Sequence, residues 1–155
     1  MSAGLTVRNR QRTQAVARPQ LVRITRTLLR EILKKTNFDL GIYLVNAHEM
    51  TRLNIQFLKH GGSTDVITFD YFDTRLPELL TGEIFVCVDE ALAQARRFRT
   101  SWQSEVIRYV VHGILHLCGY DDRSAMERRR MKREENRLVK LLGHRYQFAA
   151  LGQTA

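Results

Sequence analysis

The chain has 155 residues, 44% hydrophobic and 26% charged, which fits one soluble globular domain large enough to bury a core without disulfide staples. Lys and Arg number 25 against 16 Asp and Glu, a formal net charge of +9, so the expected partner is a polyanion such as nucleic acid unless the charge only solvates the surface. No apolar run of about 18 residues exists to span a membrane, residues 1–19 lack the apolar core of a secretory signal, and Cys87 and Cys118 form no CxxC pair, which suits a reducing cytoplasm. The acid-free arginines Arg8, Arg10, Arg12 and Arg18 leave a transit peptide open.

The basic excess is uneven. Residues 1–36 hold nine basic and one acidic side chain, residues 37–104 six and nine, and residues 105–155 ten and six. A mildly acidic middle therefore lies between two basic ends, as expected for an active centre flanked by surfaces that hold an anion. Two terminal helices with solvated faces would look the same.

In chain order, Leu5–Val7 suits a short strand inside a basic N-terminal extension of about residues 1–18. Pro19 can open a helix in which Leu21, Ile24, Leu28, Ile32 and Leu33 recur at helical spacing, ending near Asn37. Leu40, Ile42 and Leu44 alternate as a strand does, and Asn46 to Glu49 has the capping-box form at the start of a helix. Val66–Tyr71 and Glu83–Val88 are β-rich and joined by one loop, which predicts an antiparallel pair. Asp89 is expected to cap a helix through Ala95, and Thr100 or Ser101 a longer helix, apolar around most of its circumference, that Gly119 stops. Ser124 to Glu127 is a second capping box, opening a helix to about Leu142 with Gly143 past its end. The expected fold is a single α+β domain over residues 1–155, with a small mixed sheet of about four strands, about five helices, and a metal site on the buried helix.

That metal site is expected from His112 and His116, which lie four apart on one helix face, the spacing of a divalent metal clamp. A lone histidine there would more often be a core residue. Gly119 then turns the chain so that Asp122 can face the pair, giving three ligands and an open coordination position, the pattern of a catalytic site. Zinc proteases of the HExxH type carry a general-base glutamate directly after the first histidine. Gly113 stands there instead, which counts against peptide hydrolysis.

The stretch His112 to Asp122 resembles the signature of the YbeY family, metal-dependent endoribonucleases of bacterial ribosomal RNA maturation. Leu53, Asn54 and Phe57, then Ser63 to Phe69, Gly82 to Ile84, Glu90 with Ala91, and Met131 with Glu135 are similar to further family elements, so the resemblance covers about residues 40–143. It implies single-strand-directed RNA cleavage with one divalent ion, zinc by resemblance, held by His112, His116 and Asp122. It also implies candidate catalytic side chains Glu83 and Lys59, and RNA contacts from Arg52, Lys59, His60 and Arg123. Partners implied are precursor ribosomal RNA, the small ribosomal subunit and an assembly GTPase, in the cytoplasm and without a membrane. Three positions depart from the family pattern. Asp122 replaces its third histidine, a harder ligand that shifts preference toward manganese or magnesium. Leu58 replaces an arginine, and Glu83 an aspartate. Leu58 and Asp122 favour the alternative of a non-catalytic RNA-binding assembly factor of the same fold; a metalloprotease is a more distant third.

Overall fold

The computed structural model describes residues 3–58, Gly62 and residues 64–152. Its four strands are β1 (Ala3–Asn9), β2 (Phe38–Val45), β3 (Val66–Asp70) and β4 (Leu80–Cys87), in the spatial order β1-β2-β4-β3. β1 and β4 run parallel to β2, whereas β3 pairs antiparallel to β4, as the single connecting loop predicts. Five α-helices accompany them: α1 (Arg18–Arg26), α2 (Ala47–Leu53), α3 (Val88–Phe98), α4 (Trp102–Leu117) and α5 (Ala125–Arg145). α1 and α2 each continue into a wider π-type turn, Thr27–Ile32 and Asn54–Leu58, and a short 3₁₀ turn follows α5 at Phe148–Gly152. The α+β architecture with a mixed sheet is as expected.

Strand alternation sorts the sheet into two faces. Val7, Leu40, Ile42, Leu44, Ile84 and Val86 point into the main core, where α1, α4 and α5 bury Leu21, Ile24, Val110, Ile114 and Leu138. The other face carries Arg8, Tyr43, Phe85 and Ile67 in register across the strands. Among the described residues, Met50 and Leu53 of α2 cover its far end, in a small second cluster with Val45, Ile67, Phe85 and Cys87.

α4 is the central helix. Val106, Ile107, Val110, Val111, Gly113, Ile114 and Leu115 are all buried, because the sheet, α3 and α5 surround it. It approaches β4 closely: a Cβ on Gly113 would lie 2.8 Å from Ile84 Cγ2, and one on Gly82 would lie 2.7 Å from Leu117 Cδ2 and collide with the Phe69 carbonyl.

Local signals set most helix starts. Asn46, Ser101 and Ser124 each accept a hydrogen bond from the backbone N–H three residues on. Asp89 does something else. It sits inside the first turn of α3, which begins at Val88, and its carboxylate accepts from the Ala47 N–H of α2 at 2.6 Å, so it caps a neighbouring helix rather than its own. α5 also runs past Gly143 to Arg145, because Leu142 is buried there and Tyr146 N–H closes the last turn on Leu142 O. β1 starts at Ala3 and takes Arg8 into the sheet with Val7 buried, while Arg18 opens α1.

The tight strand–helix spacing gives a direct test. Gly82→Ala should lower the urea midpoint by the equivalent of about 1–3 kcal/mol, since the clash involves backbone that cannot rotate away. A loss under about 0.5 kcal/mol, the range of ordinary surface substitutions, would contradict that spacing.

Candidate active site

His112 and His116 project from α4 one turn apart, each half-buried. The tautomer of each ring follows from its partner. His112 Nδ1 lies 3.0 Å from Glu135 Oε2, and His116 Nδ1 lies 2.9 Å from the Tyr120 carbonyl oxygen. Carboxylate and carbonyl only accept, so both Nδ1 atoms carry the proton, and a neutral ring then offers its lone pair at Nε2. Gly119, at φ +101°, supplies the turn that brings the Tyr120 carbonyl back to His116, with Tyr120 N–H closing on Leu115 O at 3.0 Å.

Glu135 is the residue that sequence reasoning missed in this role. It is only 5% exposed, yet lies on the inward stripe of α5 with Met131, Leu138 and Leu142. A glutamate within that apolar stripe was the available signal. Besides His112, it accepts from Arg108 Nη1 at 2.9 Å and pairs with Lys132 at 3.5 Å, while Arg108 also donates to Asn136 at 2.7 Å. Burial pushes the Glu135 carboxyl up, but its bonds to His112 and Arg108 outweigh this and hold it below the usual range. The Glu135 hydrogen bond raises His112 against the opposing effect of burial, helped by the charges of Asp65 and Asp122.

His112 opens onto a cavity of about 360 Å³ whose lining includes Asp122, Arg108, Arg128 and Lys132. Tyr109 also lines it; its buried phenol oxygen has no hydrogen-bond partner among the described residues. His116 lies outside that lining. Asp122 is exposed, in the loop where Arg123 pairs with Asp121 at 3.3 Å. Among the described residues, no three His, Cys, Asp or Glu side chains converge tightly enough to hold a metal ion. The donor set itself suits one: two oriented imidazoles and a carboxylate that shares the His112 cavity. Position 113 offers no general base, because it faces Ile84 with no room for a side chain.

The structure does not bring Glu83 or Arg52 to the histidines. Ile84 faces α4, so Glu83 faces the opposite side of the sheet, where it and Arg52 line a separate cavity of about 560 Å³. There Glu83 accepts a short hydrogen bond from the Tyr71 hydroxyl. That bond, with burial, pushes the Tyr71 phenol up to about 12, and the same carboxylate raises Tyr43. Lys59 and His60 lie outside the described residues.

The His112–Glu135 pair predicts how the metal-free chain responds to pH. The raised His112 contributes stability that is complete below the ordinary imidazole value, about 6.5, and is lost as pH rises through its higher folded value. The lowered Glu135 contributes above the ordinary carboxyl value, about 4.3, and loses this as pH falls through its lower folded value. Both contributions are therefore whole from about pH 4.3 to 6.5. Between about pH 6 and pH 9, the urea midpoint of the wild type should fall more steeply than that of Glu135→Gln. Parallel curves would contradict the pairing.

The sequence profile described as endoribonuclease YbeY matches residues 6–143. Among curated relatives, the endoribonuclease YbeY of Chlorobium phaeovibrioides is 42% identical over 94 residues, 61% of this chain and 62% of that protein. That of Parabacteroides distasonis is 36% identical over 109 residues, 70% of this chain and 74% of that protein. The solution structure of a Thermotoga maritima protein superposes with a TM-score of 0.69 at 25% identity, covering 97% of this chain and 96% of that one. The profile match runs from β1 into the last turn of α5 and takes in α4 with both histidines, and on that footing the chain belongs to the endoribonuclease YbeY family.

Proposed function

We propose that this chain is a metal-dependent endoribonuclease that cuts single-stranded RNA during ribosomal RNA maturation. The observation that carries this is the pair of imidazoles on α4 whose Nδ1 atoms are held by Glu135 and the Tyr120 carbonyl, leaving both Nε2 atoms for one ion. His112, His116 and Asp122 would hold it. When bound, the ion supplies Lewis-acid polarisation of a phosphodiester and a more acidic water. An aspartate among the ligands widens the candidates from zinc to manganese and magnesium.

The chain's own groups do the remaining work. Glu135 keeps His112 in one tautomer and orientation, and Arg108 is braced by Glu135 and Asn136 beside the same cavity. Arg108, Arg128 and Lys132 present cationic donors to a phosphate entering there, and Arg123 extends this charge along the Asp122 loop. The family resemblance supports precursor ribosomal RNA as substrate, with the small subunit and an assembly GTPase as partners in the cytoplasm. No helix among the described residues is long and apolar enough to cross a membrane.

The alternative, an RNA-binding assembly factor without catalysis, is favoured by one observation: the three ligands are not gathered. Incubating the full chain with an unstructured RNA, with zinc, manganese or magnesium and then with chelator, separates the two. The nuclease predicts cleavage that chelator abolishes and that Asp122→Ala reduces by at least about tenfold, while Glu135→Gln weakens metal affinity by about 10–100-fold. RNA bound but left whole with every metal would overturn it.

A further inference from the structure

The proposed site takes two ligands from α4 and the third, Asp122, from the loop that joins α4 to α5. Close apolar packing does not fix that loop. Asp122 and Arg123 are exposed, and a cavity of about 160 Å³ opens between Tyr120 and Asp121 on one side and Glu127 and Arg130 of α5 on the other. Inside the loop, the Asp121 carboxylate accepts from the Asp122 N–H at 2.8 Å and pairs with Arg123 at 3.3 Å. These contacts shape the loop but tie it to nothing beyond itself.

The outward ties come from two arginines near the start of α5. Arg128 folds back over the helix end, so that its Nη1 donates to the carbonyl oxygens of Asp122 and Arg123, 3.3 and 3.4 Å away. Arg130 lays its guanidinium over the Tyr120 ring, 5.4 Å from the centroid and within cation–π range. Tyr120 is the residue whose carbonyl holds His116 Nδ1. Further along the same helix, Glu135 holds His112. Each of the three ligand positions therefore has a partner on α5.

Local preference does not explain arginines here, because the start of a helix carries partial positive charge and disfavours cations. Ser124 caps this end, accepting from the Glu127 N–H, and Arg128, Arg129 and Arg130 follow at once. A local rule broken in favour of contacts across a loop is what a functional constraint produces.

We propose that Arg128 and Arg130 are positioning residues for the metal ligands: Arg128 sets the main chain at Asp122, and Arg130 sets His116 through the ring and carbonyl of Tyr120. With Glu135, they make α5 the helix that aims all three ligands. The proposal rests on the three-ligand reading for its metal readout, whereas its tautomer readout needs no metal. Charge alone predicts the opposite effect. A cation near the site repels a metal ion, so losing an arginine would tighten binding. Positioning predicts weaker binding, and the sign separates the two.

The first measurement uses the metal-free chain. Two-bond proton–nitrogen NMR correlation of the histidine rings, at about pH 8.5 and so above the ordinary imidazole value, reports which ring nitrogen carries the proton. His116 should be held as the Nδ1–H tautomer in the wild type, and also in Arg130→Lys and Tyr120→Phe, which keep the cation and the ring. Arg130→Ala and Tyr120→Ala should both move it toward the Nε2–H form that a free imidazole prefers. The second measurement is equilibrium dialysis against zinc and against manganese, without RNA. Arg130→Ala should weaken ion binding by about two- to fivefold and Arg128→Ala by at least about threefold. Arg129→Ala and Arg133→Ala, which remove exposed cations from the same helix, should bind as tightly as wild type or more so. An unchanged His116 tautomer in Arg130→Ala and Tyr120→Ala would overturn the proposal. So would metal affinity in Arg128→Ala and Arg130→Ala no weaker than in those two controls. A wild-type chain that binds neither ion, with the tautomer shifting as expected, would instead refute the three-ligand reading alone.

Discussion

The close approach of α4 to β4 is the constraint on which the rest of the molecule depends. With hydrogen in place of a side chain at both Gly82 and Gly113, the helix settles directly onto the sheet, Gly113 on Ile84 and Leu117 over Gly82. A helix so placed buries one side on the sheet and can project His112 and His116 only from another. α5 then packs along α4 and brings Glu135 to His112. A larger residue at either glycine would lift the helix and with it the histidine that Glu135 orients.

That packing also explains why polar groups are tolerated inside. Glu135 is buried, and an unpaired carboxylate there would cost several kcal/mol on the order usual for buried ions. It is instead met by an imidazole, a guanidinium and an ammonium. The network holds the ring geometry of His112 and places Arg108 at the cavity mouth, so one buried acid serves both the histidine and the cationic rim. Across the sheet Glu83 plays a comparable part for aromatic rings, fixing Tyr71 at the edge of an otherwise open face.

Much of this was legible in the sequence where the cause is local. The caps at Asn46, Ser101 and Ser124, the alternation of Leu40, Ile42 and Leu44, and the apolar girth of α4 depend on neighbours within a few positions. Other features depend on what a residue meets in space. Asp89 looks like a cap for α3 and becomes the cap of α2, because β2 and β4 lie side by side and deliver both helix starts to one edge. β1 is hard to see because its outer face is arginine-bearing and only Val7 is fully buried. Glu83 lies next to a core residue in sequence, and strand alternation alone puts it on the far face once Ile84 is known to meet α4. The family resemblance locates the two histidines, and the resemblance of Glu135 gave no hint of its bond to His112.

In the proposed function, His112, His116 and Asp122 act together as the ligands of a single ion. Equilibrium dialysis of the full chain against zinc and manganese, beside His112→Ala, His116→Ala and Asp122→Ala, measures this most directly. One ion should bind per wild-type chain, with at least about a tenfold loss of affinity in each variant, as expected when a ligand is removed from a three-ligand site. Equal affinity in wild type and all three variants would contradict it.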